Sequence, residues 1–463
     1  MGNRFEKEYS DRLISAEQAA GLVKSGDSIH FGGAANVATV IDKYLARRKA
    51  ELENVTIRSY IDTARYQIFD ADPEGEVFKW HSGFVLGFTR EQSKKRGIGV
   101  YIPSTWHNVP AFIRSSLKFD IFFLVTAPMD SAGYFNFGLT VGETMAIADV
   151  ADKIVVIVRK DMPTIFGGHE ETIHISRVAH VVEDEEFETF CLPMAKAAPQ
   201  DKMIAENILG ANLIKNGSTL QIGIGGLPNS VLDLLKDGGF KNCGFHTEML
   251  TEKMLDLIEA GVVTNSEKKM DRFKSVFAFC LGSRKLYDFA DRNPAFATYP
   301  VSYTNSPLVI AGQPNMFSLN SAAQVDLTGQ IASEQIGGDR PVQISGTGGQ
   351  LDFVMGTMLS HDGNGVSVIA LYSEHKGISK IVTMLPKGAN VTVPRSMVDH
   401  VATEWGIARL RGLTIGQRAR ALISIAHPRN REALEKEAKD AGLLPYTRAT
   451  DSKLPRGVIV RKE

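Results

Sequence analysis

GSTLQIGIGGLPNSVLDLLKDGG, residues 217–239, reads as one strand–loop–helix unit. Gly217 and Ser218 make a turn, Thr219 to Ile222 an apolar strand, and Gly223 to Gly226 a glycine loop. Pro228 lies in the first turn of the helix that follows, where a missing N–H costs nothing. Val231, Leu232, Leu234 and Leu235 recur at helical spacing, and Gly238-Gly239 stops the helix. An earlier stretch, GDSIHFGGAANVATVIDKYL from Gly26 to Leu45, repeats the pattern. Aligned on Gly26 and Gly217, Phe31 falls on Ile222, Gly32 on Gly223 and Val40 on Val231. A second echo stands at nearly the same offset: Asp130-Ser-Ala-Gly133 and Asp326-Leu-Thr-Gly329 each follow an apolar stretch. Together the two matches predict an α/β protein of two similar halves that meet near residues 185–215.

The whole chain agrees with that division. Its 463 residues leave room for two to three domains, each with its own core, and the halves are taken as 1–190 and 191–463. Hydrophobic residues at 43% and charged residues at 23% are ordinary globular values, which excludes disorder and fibrous repeats. With 52 basic against 53 acidic residues the chain has no field for a nucleic acid backbone, so that class is set aside. Cys191, Cys243 and Cys280 are too scattered for a disulfide framework or a CxxC metal site. The longest apolar stretch, 121–129, is about half of what spans a bilayer. The N-terminus is polar, and Glu6 stands where a myristoylation motif needs Ser or Thr. A cytoplasmic protein that binds no membrane is expected, forming a homodimer or larger homo-oligomer.

Further strands are expected at Lys153–Val158, Val366–Leu371 and Asn390–Val393. Ala408 to Pro428 reads as one helix, REALEKEAKDAG as another, and Tyr446 to Glu463 as an extended or loosely held tail.

Several motifs carry chemistry. A glycine loop at a helix N-terminus turns backbone N–H groups toward a phosphate or a developing oxyanion. Gly223-Ile224-Gly225-Gly226 is one such loop and Gly346-Thr347-Gly348-Gly349 the second. Both miss the dinucleotide fingerprint, the first at Pro228 and the second at Leu351, so no nicotinamide cofactor is expected. GxxxxGK[ST] is absent, which sets aside ATP. Such loops also occur as βα turns that touch no ligand. In Gly244-Phe-His-Thr-Glu-Met-Leu250, Glu248 stands among Phe245, Met249 and Leu250. Isolated carboxylates are ordinarily solvated, but one leaving a buried strand is partly desolvated and becomes a better nucleophile or base. His246 has no second ligand at metal spacing and reads as structural or orienting. His169 and His174 lack HExxH spacing and read as surface groups, and no metal is expected. Cys280 reads as an inert core thiol. Glu252 and Glu259, at helical spacing, read as solvated.

GIGGLPNSVL, GFHTEMLTEKMLDLIEAG, LYDFADRNP, SYTNSP, QVDLTGQIASEQIGG and SGTGGQLDFV occur in that order, with GYFNFG and KIVVIVRKDMPTIFG earlier. Together they resemble the acetyl-CoA hydrolase/transferase family, class I CoA transferases of the 4-hydroxybutyrate and butyryl-CoA:acetate kind, over roughly residues 10–440. The resemblance implies two similar open α/β domains of the CoA-transferase (NagB/RpiA) type with the active site between them. It also implies a ping-pong transfer of coenzyme A, a substrate here, between a short-chain acyl-CoA and a carboxylic acid such as acetate.

Residue by residue, the resemblance makes Glu248 the nucleophile. Ile224 of the first loop and Gly348 or Gly349 of the second supply oxyanion-hole N–H groups, and Asn305 lies near the carboxylate substrate. Gly223, Ile224, Gly225, Gly226, Leu227, Gly346, Gly349 and Lys376 face the CoA. Lys376 reads equally as a solvated surface lysine, and Asn305, before Ser-Pro, equally as a turn residue. The N-terminal loop GGAANVA departs from relatives that keep a further Gly or Pro, on the side that lines the acyl acceptor. An acyl-CoA hydrolase on the same scaffold and a non-catalytic CoA-binding sensor are the alternatives.

Overall fold

The computed structural model describes residues 4–444 and 454–461. Six strands make the first sheet: β1 (Ser28–Gly33), β2 (Val55–Tyr60), β3 (Phe78–Ser82), β4 (Phe119–Thr126), β5 (Ala151–Val158) and β6 (His180–Glu183). They lie in the order β3-β2-β1-β4-β5-β6, and every neighbouring pair is parallel. A parallel sheet is covered on both faces, which favours continuous apolar runs in its central strands. Ile154 to Val158 is a run of five consecutive buried residues of this kind.

The second sheet comprises β7 (Thr219–Ile222), β8 (Gly244–Phe245), β9 (Phe317–Ser321), β10 (Val366–Ala370), β11 (His400–Thr403), β12 (Gly406–Arg409) and β13 (Val458–Val460). Its order is β8-β7-β9-β10-β11-β12-β13, parallel through β11 and antiparallel beyond. The series β2-β1-β4-β5-β6 thus matches β8-β7-β9-β10-β11, strand for strand.

The two Asp–Gly echoes are the same turn. Asp130 Oδ1 accepts the N–H groups of Ala132 and Tyr134, and Asp326 Oδ1 those of Thr328 and Gln330. Gly133 and Gly329 close the two turns with φ of 87° and 96°, where a side chain would be strained. The duplication expected from the sequence is therefore present in strand order and in turn chemistry.

The halves are packed on each other through backbone bonds. Val141 and Gly142 both donate to the Ala278 carbonyl, and Cys280 donates to Leu139. One hydrophobic core runs through both halves, and a smaller one lies under the C-terminal helices. Among the described residues no helix is long and apolar enough to cross a membrane.

Two expectations are corrected. Asn390–Val393 is not a strand; Val393 makes only an isolated bridge to Ile331. Ala408–Pro428 is not one helix, because Gly406–Arg409 pairs back on β11 as a hairpin. The helix begins at Ile415, where Thr414 and Gln417 form a capping box, and it ends at Ser424. Pro428 opens the next helix, Pro428–Asp440. In the tail, expected to be extended or loosely held, Val458–Val460 is extended and covers the edge of β12, a remedy for unpaired edge groups. Residues 446–453 and 462–463 of that stretch lie outside the described residues.

Candidate active site

Open α/β sheets bind ligands at the carboxyl ends of their strands, and here those ends of both sheets converge. The segment after β8 runs through His246 and Thr247 to Glu248, then enters the short strand Met249–Thr251, which pairs in parallel with Phe279–Leu281. The Glu248 carbonyl accepts from Ala278 and Phe279, so the residue is clamped from its own backbone. The residue is half-buried. Asn305 Nδ2 donates to Glu248 Oε2 at 2.7 Å, and the Gly349 N–H also faces the carboxylate.

Gly349 has to be glycine on steric grounds. A Cβ there would sit 2.0 Å from Glu248 Oε2 and 2.2 Å from Asn305 Nδ2. The second glycine loop and the helix Gln350–Met358 behind it thus bring backbone against the acid at a distance no side chain permits. Asn305 is buried at the end of the short helix Val301–Thr304, and its amide also reaches Asp352 Oδ2 at 3.3 Å.

The first half closes this arrangement from the other side. Phe84, just past β3, lies against Gly346 and Gly348. Trp106 donates its backbone N–H to the Gly348 carbonyl and its indole N–H to Glu143 Oε2, at 3.0 and 2.9 Å. It stacks on Tyr60, with ring centroids 5.0 Å apart. Tyr101 donates to Glu334 and accepts from the Thr347 N–H, fixing the tip of the second loop. His107 meets the buried Asp352 through both its backbone N–H and its Nδ1.

Burial raises the Glu248 pKa to about 8, and Asp352 and Glu143 push in the same direction. The hydrogen bonds from Asn305 and Gly349 oppose that shift by favouring the carboxylate. Glu143 is likewise raised, to about 7, by burial, against the Trp106 hydrogen bond. The site therefore holds a desolvated carboxylate among other acids, with preformed donors aimed at its oxygens.

Of the residues singled out from sequence, Glu248, Asn305, Gly348 and Gly349 are brought together. The first loop is placed otherwise: Ile224, Gly225, Gly226 and Leu227 line a cleft of about 220 Å³ with Asp201 and Tyr372. Ile224 is well exposed on its wall, and the described hydrogen bond to the Glu248 carboxylate comes from Asn305. Gly223 leads into the loop from β7, with open space where its side chain would be. Gly346 packs on Gly83 and Phe84. Lys376 stands at the exposed tip of the hairpin Glu374–Ser379, in a left-handed turn with Gly377.

His246 is fully buried with Nε2 against the Thr304 carbonyl at 2.8 Å, an orienting role. Cys280 is buried, and burial raises its thiol pKa. Glu252, expected to be solvated, is half-buried, and its Oε2 accepts from both the N–H and the hydroxyl of Ser283. Glu143, Asp352, His107, Trp106 and Tyr60 were missed. Only Asp352 lies in a motif quoted for the site, where its place in a helical run concealed it.

The family model of the acetyl-CoA hydrolase/transferase N-terminal domain matches residues 2–193, and that of the C-terminal domain residues 282–438. A butyryl-CoA:acetate CoA-transferase of Anaerostipes caccae is 38% identical over 94% of this chain and 98% of its own. This chain belongs to the acetyl-CoA hydrolase/transferase family. Among solved structures, RipA from Yersinia pestis superposes with a TM-score of 0.85 at 32% identity, covering 95% of this chain and all of that one. A 4-hydroxybutyrate CoA-transferase from Porphyromonas gingivalis gives 0.77 at 32% identity with the same coverage. Within the family the chain stands with the CoA-transferases, whereas an acetyl-CoA hydrolase of Yarrowia lipolytica is 25% identical.

Proposed function

We propose that this CoA-transferase moves CoA between a short-chain acyl-CoA and a carboxylic acid such as acetate, with Glu248 as the nucleophile. One observation carries the reading: a desolvated carboxylate, held by an amide and a backbone N–H, lies where the strand ends of two α/β halves meet.

The chemistry follows from what a carboxylate does to a thioester. Glu248 attacks the thioester carbonyl, the C–S bond breaks, and an acyl-glutamyl anhydride and CoA thiolate result. The thiolate then attacks the glutamyl carbonyl carbon, releasing the first acid and leaving a glutamyl-CoA thioester. In that second step negative charge develops on a Glu248 oxygen. The Asn305 amide and the Gly349 N–H already face those oxygens, so they serve as the oxyanion donors. Loss of one such donor typically costs about 3 kcal/mol of barrier. An incoming acid reverses both steps, and the thioester energy is conserved throughout.

We place the CoA along the cleft walled by Ile224 to Leu227, with Lys376 as a further contact. The acyl group is placed toward the recess behind Tyr60 and Glu143, which is lined by Phe112, Ile113 and Leu117. The two domains are taken as 1–190 and 191–463, and the enzyme as a cytoplasmic homo-oligomer whose subunit number sedimentation will give.

Because one glutamate is visited in turn by two acids, initial rates with varied acyl-CoA and acetate should give parallel double-reciprocal lines. Intersecting lines, with no label exchange between acyl-CoA and its own free acid in the absence of acceptor, would mean a ternary complex instead.

A further inference from the structure

Asp352 and His107 occupy no step of that scheme, yet the structure couples them to Glu248 through one amide group. The NH2 of Asn305 is shared between Glu248 Oε2, at 2.7 Å, and Asp352 Oδ2, at 3.3 Å. The two carboxylates therefore stand within about 6 Å of each other, a range over which one charge strongly disfavours another. Asp352 has no exposure to water. Its remaining contacts are with His107, whose N–H bonds Oδ2 at 3.1 Å and whose Nδ1 meets Oδ1.

The other ionisable groups described against Glu248 offer no positive charge. Glu143 and Asp352 are acids. Tyr60, whose buried hydroxyl lacks a partner, is a phenol that burial keeps neutral, and Tyr101 is bonded to Glu334. His107 is the group that can offset this concentration of negative charge, and it belongs to the first half.

We propose that His107 is a positioning residue for the nucleophile: when protonated it partly offsets the charge of Asp352, so that Asp352 can hold the Asn305 amide with its NH2 toward Glu248 while opposing the ionisation of Glu248 less. This rests on the assignment of Glu248 as nucleophile. The orientation follows from chemistry, since an amide oxygen turned between two carboxylates would be repelled by both. The Asp352 hydrogen bond raises the His107 pKa above that of an ordinary histidine, which keeps the pair neutral over a wider range. Because His107 lies on a different half from Glu248, the charge is offset only when the halves are packed together.

Opposite substitutions should move the acid limb of the kcat/KM pH profile in opposite directions. Asp352→Asn removes the charge facing Glu248 and should shift the limb down by about one pH unit or more. His107→Phe leaves Asp352 uncompensated and should shift it up. In the double variant His107→Phe should add nothing further, because there is no charge left to offset. Limbs that stay fixed while the rates fall at every pH, or that move the same way, would overturn the proposal and leave a merely structural role.

If Asp352→Asn fails to fold, the coupling is read in reverse by NMR titration of His107. The His107 signal should shift again as Glu248 ionises at its own raised pKa, and Glu248→Gln should lose that second step, since the coupling is mutual. A His107 titration curve the same in both proteins would overturn the proposal. A Glu248→Gln enzyme that still transfers CoA would instead refute the nucleophile assignment, whatever His107 does.

Discussion

Gly349→Ala tests the site by steric displacement alone. The backbone at Gly349 has φ −94° and ψ 3°, which alanine adopts without strain, so the start of the helix Gln350–Met358 should be preserved. The new methyl, however, would lie 2.0 Å from Glu248 Oε2 and 2.2 Å from Asn305 Nδ2. Relief to ordinary contact near 3.4 Å requires the carboxylate or the loop to retreat by about 1.4 Å, and a misplacement of about 1 Å can cost on the order of 100-fold in rate. A fall in kcat of at least about 100-fold is expected, some 2.7 kcal/mol of barrier, with CoA affinity changed only a few-fold. The assay is transfer from butyryl-CoA to acetate at saturation, beside calorimetric titration of CoA. Gly210→Ala is the control, at the end of the helix Pro199–Gly210, where a Cβ meets nothing within 4 Å. A Gly349→Ala enzyme that turns over near the wild-type rate would refute the claim that Glu248 works from its observed position.

Two further substitutions probe the electrostatics. Glu248 binds its proton more tightly in the folded enzyme, about 8 against 4.5, so the wild-type fold loses stability as pH rises through that window. Glu248→Gln should therefore gain stability over wild type progressively from pH 5 to 8, by up to about 1.4 kcal/mol per pH unit, and then level off, which appears as a Tm gap that widens with pH. A gap that is constant with pH in differential scanning fluorimetry would contradict this. Trp106→Phe removes the indole donor from buried Glu143 and should destabilise by about 1–3 kcal/mol; an unchanged Tm would show that this bond contributes nothing.

The fold was legible where local chemistry dictates it. Glycines at Gly32 and Gly223, apolar strands before them and Asp–Gly turns at 130–133 and 326–329 are short-range signals, and they exposed the duplication. Ala408–Pro428 misled because its apolar residues fit a helix, and only the pairing of Gly406–Arg409 with β11 decides otherwise. In the site, Glu248 stood out because a carboxylate among Phe245, Met249 and Leu250 is locally anomalous. Glu143, Trp106 and His107 gave no such signal: His107 meets Asp352 across 245 positions of sequence, and nothing local records that approach.

The most direct test of the central claim is to trap the enzyme-bound thioester. Incubated with acyl-CoA alone, the enzyme should carry CoA on Glu248, labile to hydroxylamine and reducible by borohydride. Mass spectrometry of the borohydride-reduced peptide should place the altered residue at Glu248, and the Glu248→Ala protein should form no adduct while still binding CoA. An adduct on another carboxylate, such as Glu143 or Glu252, or transfer by the alanine variant at near wild-type rate, would contradict the account.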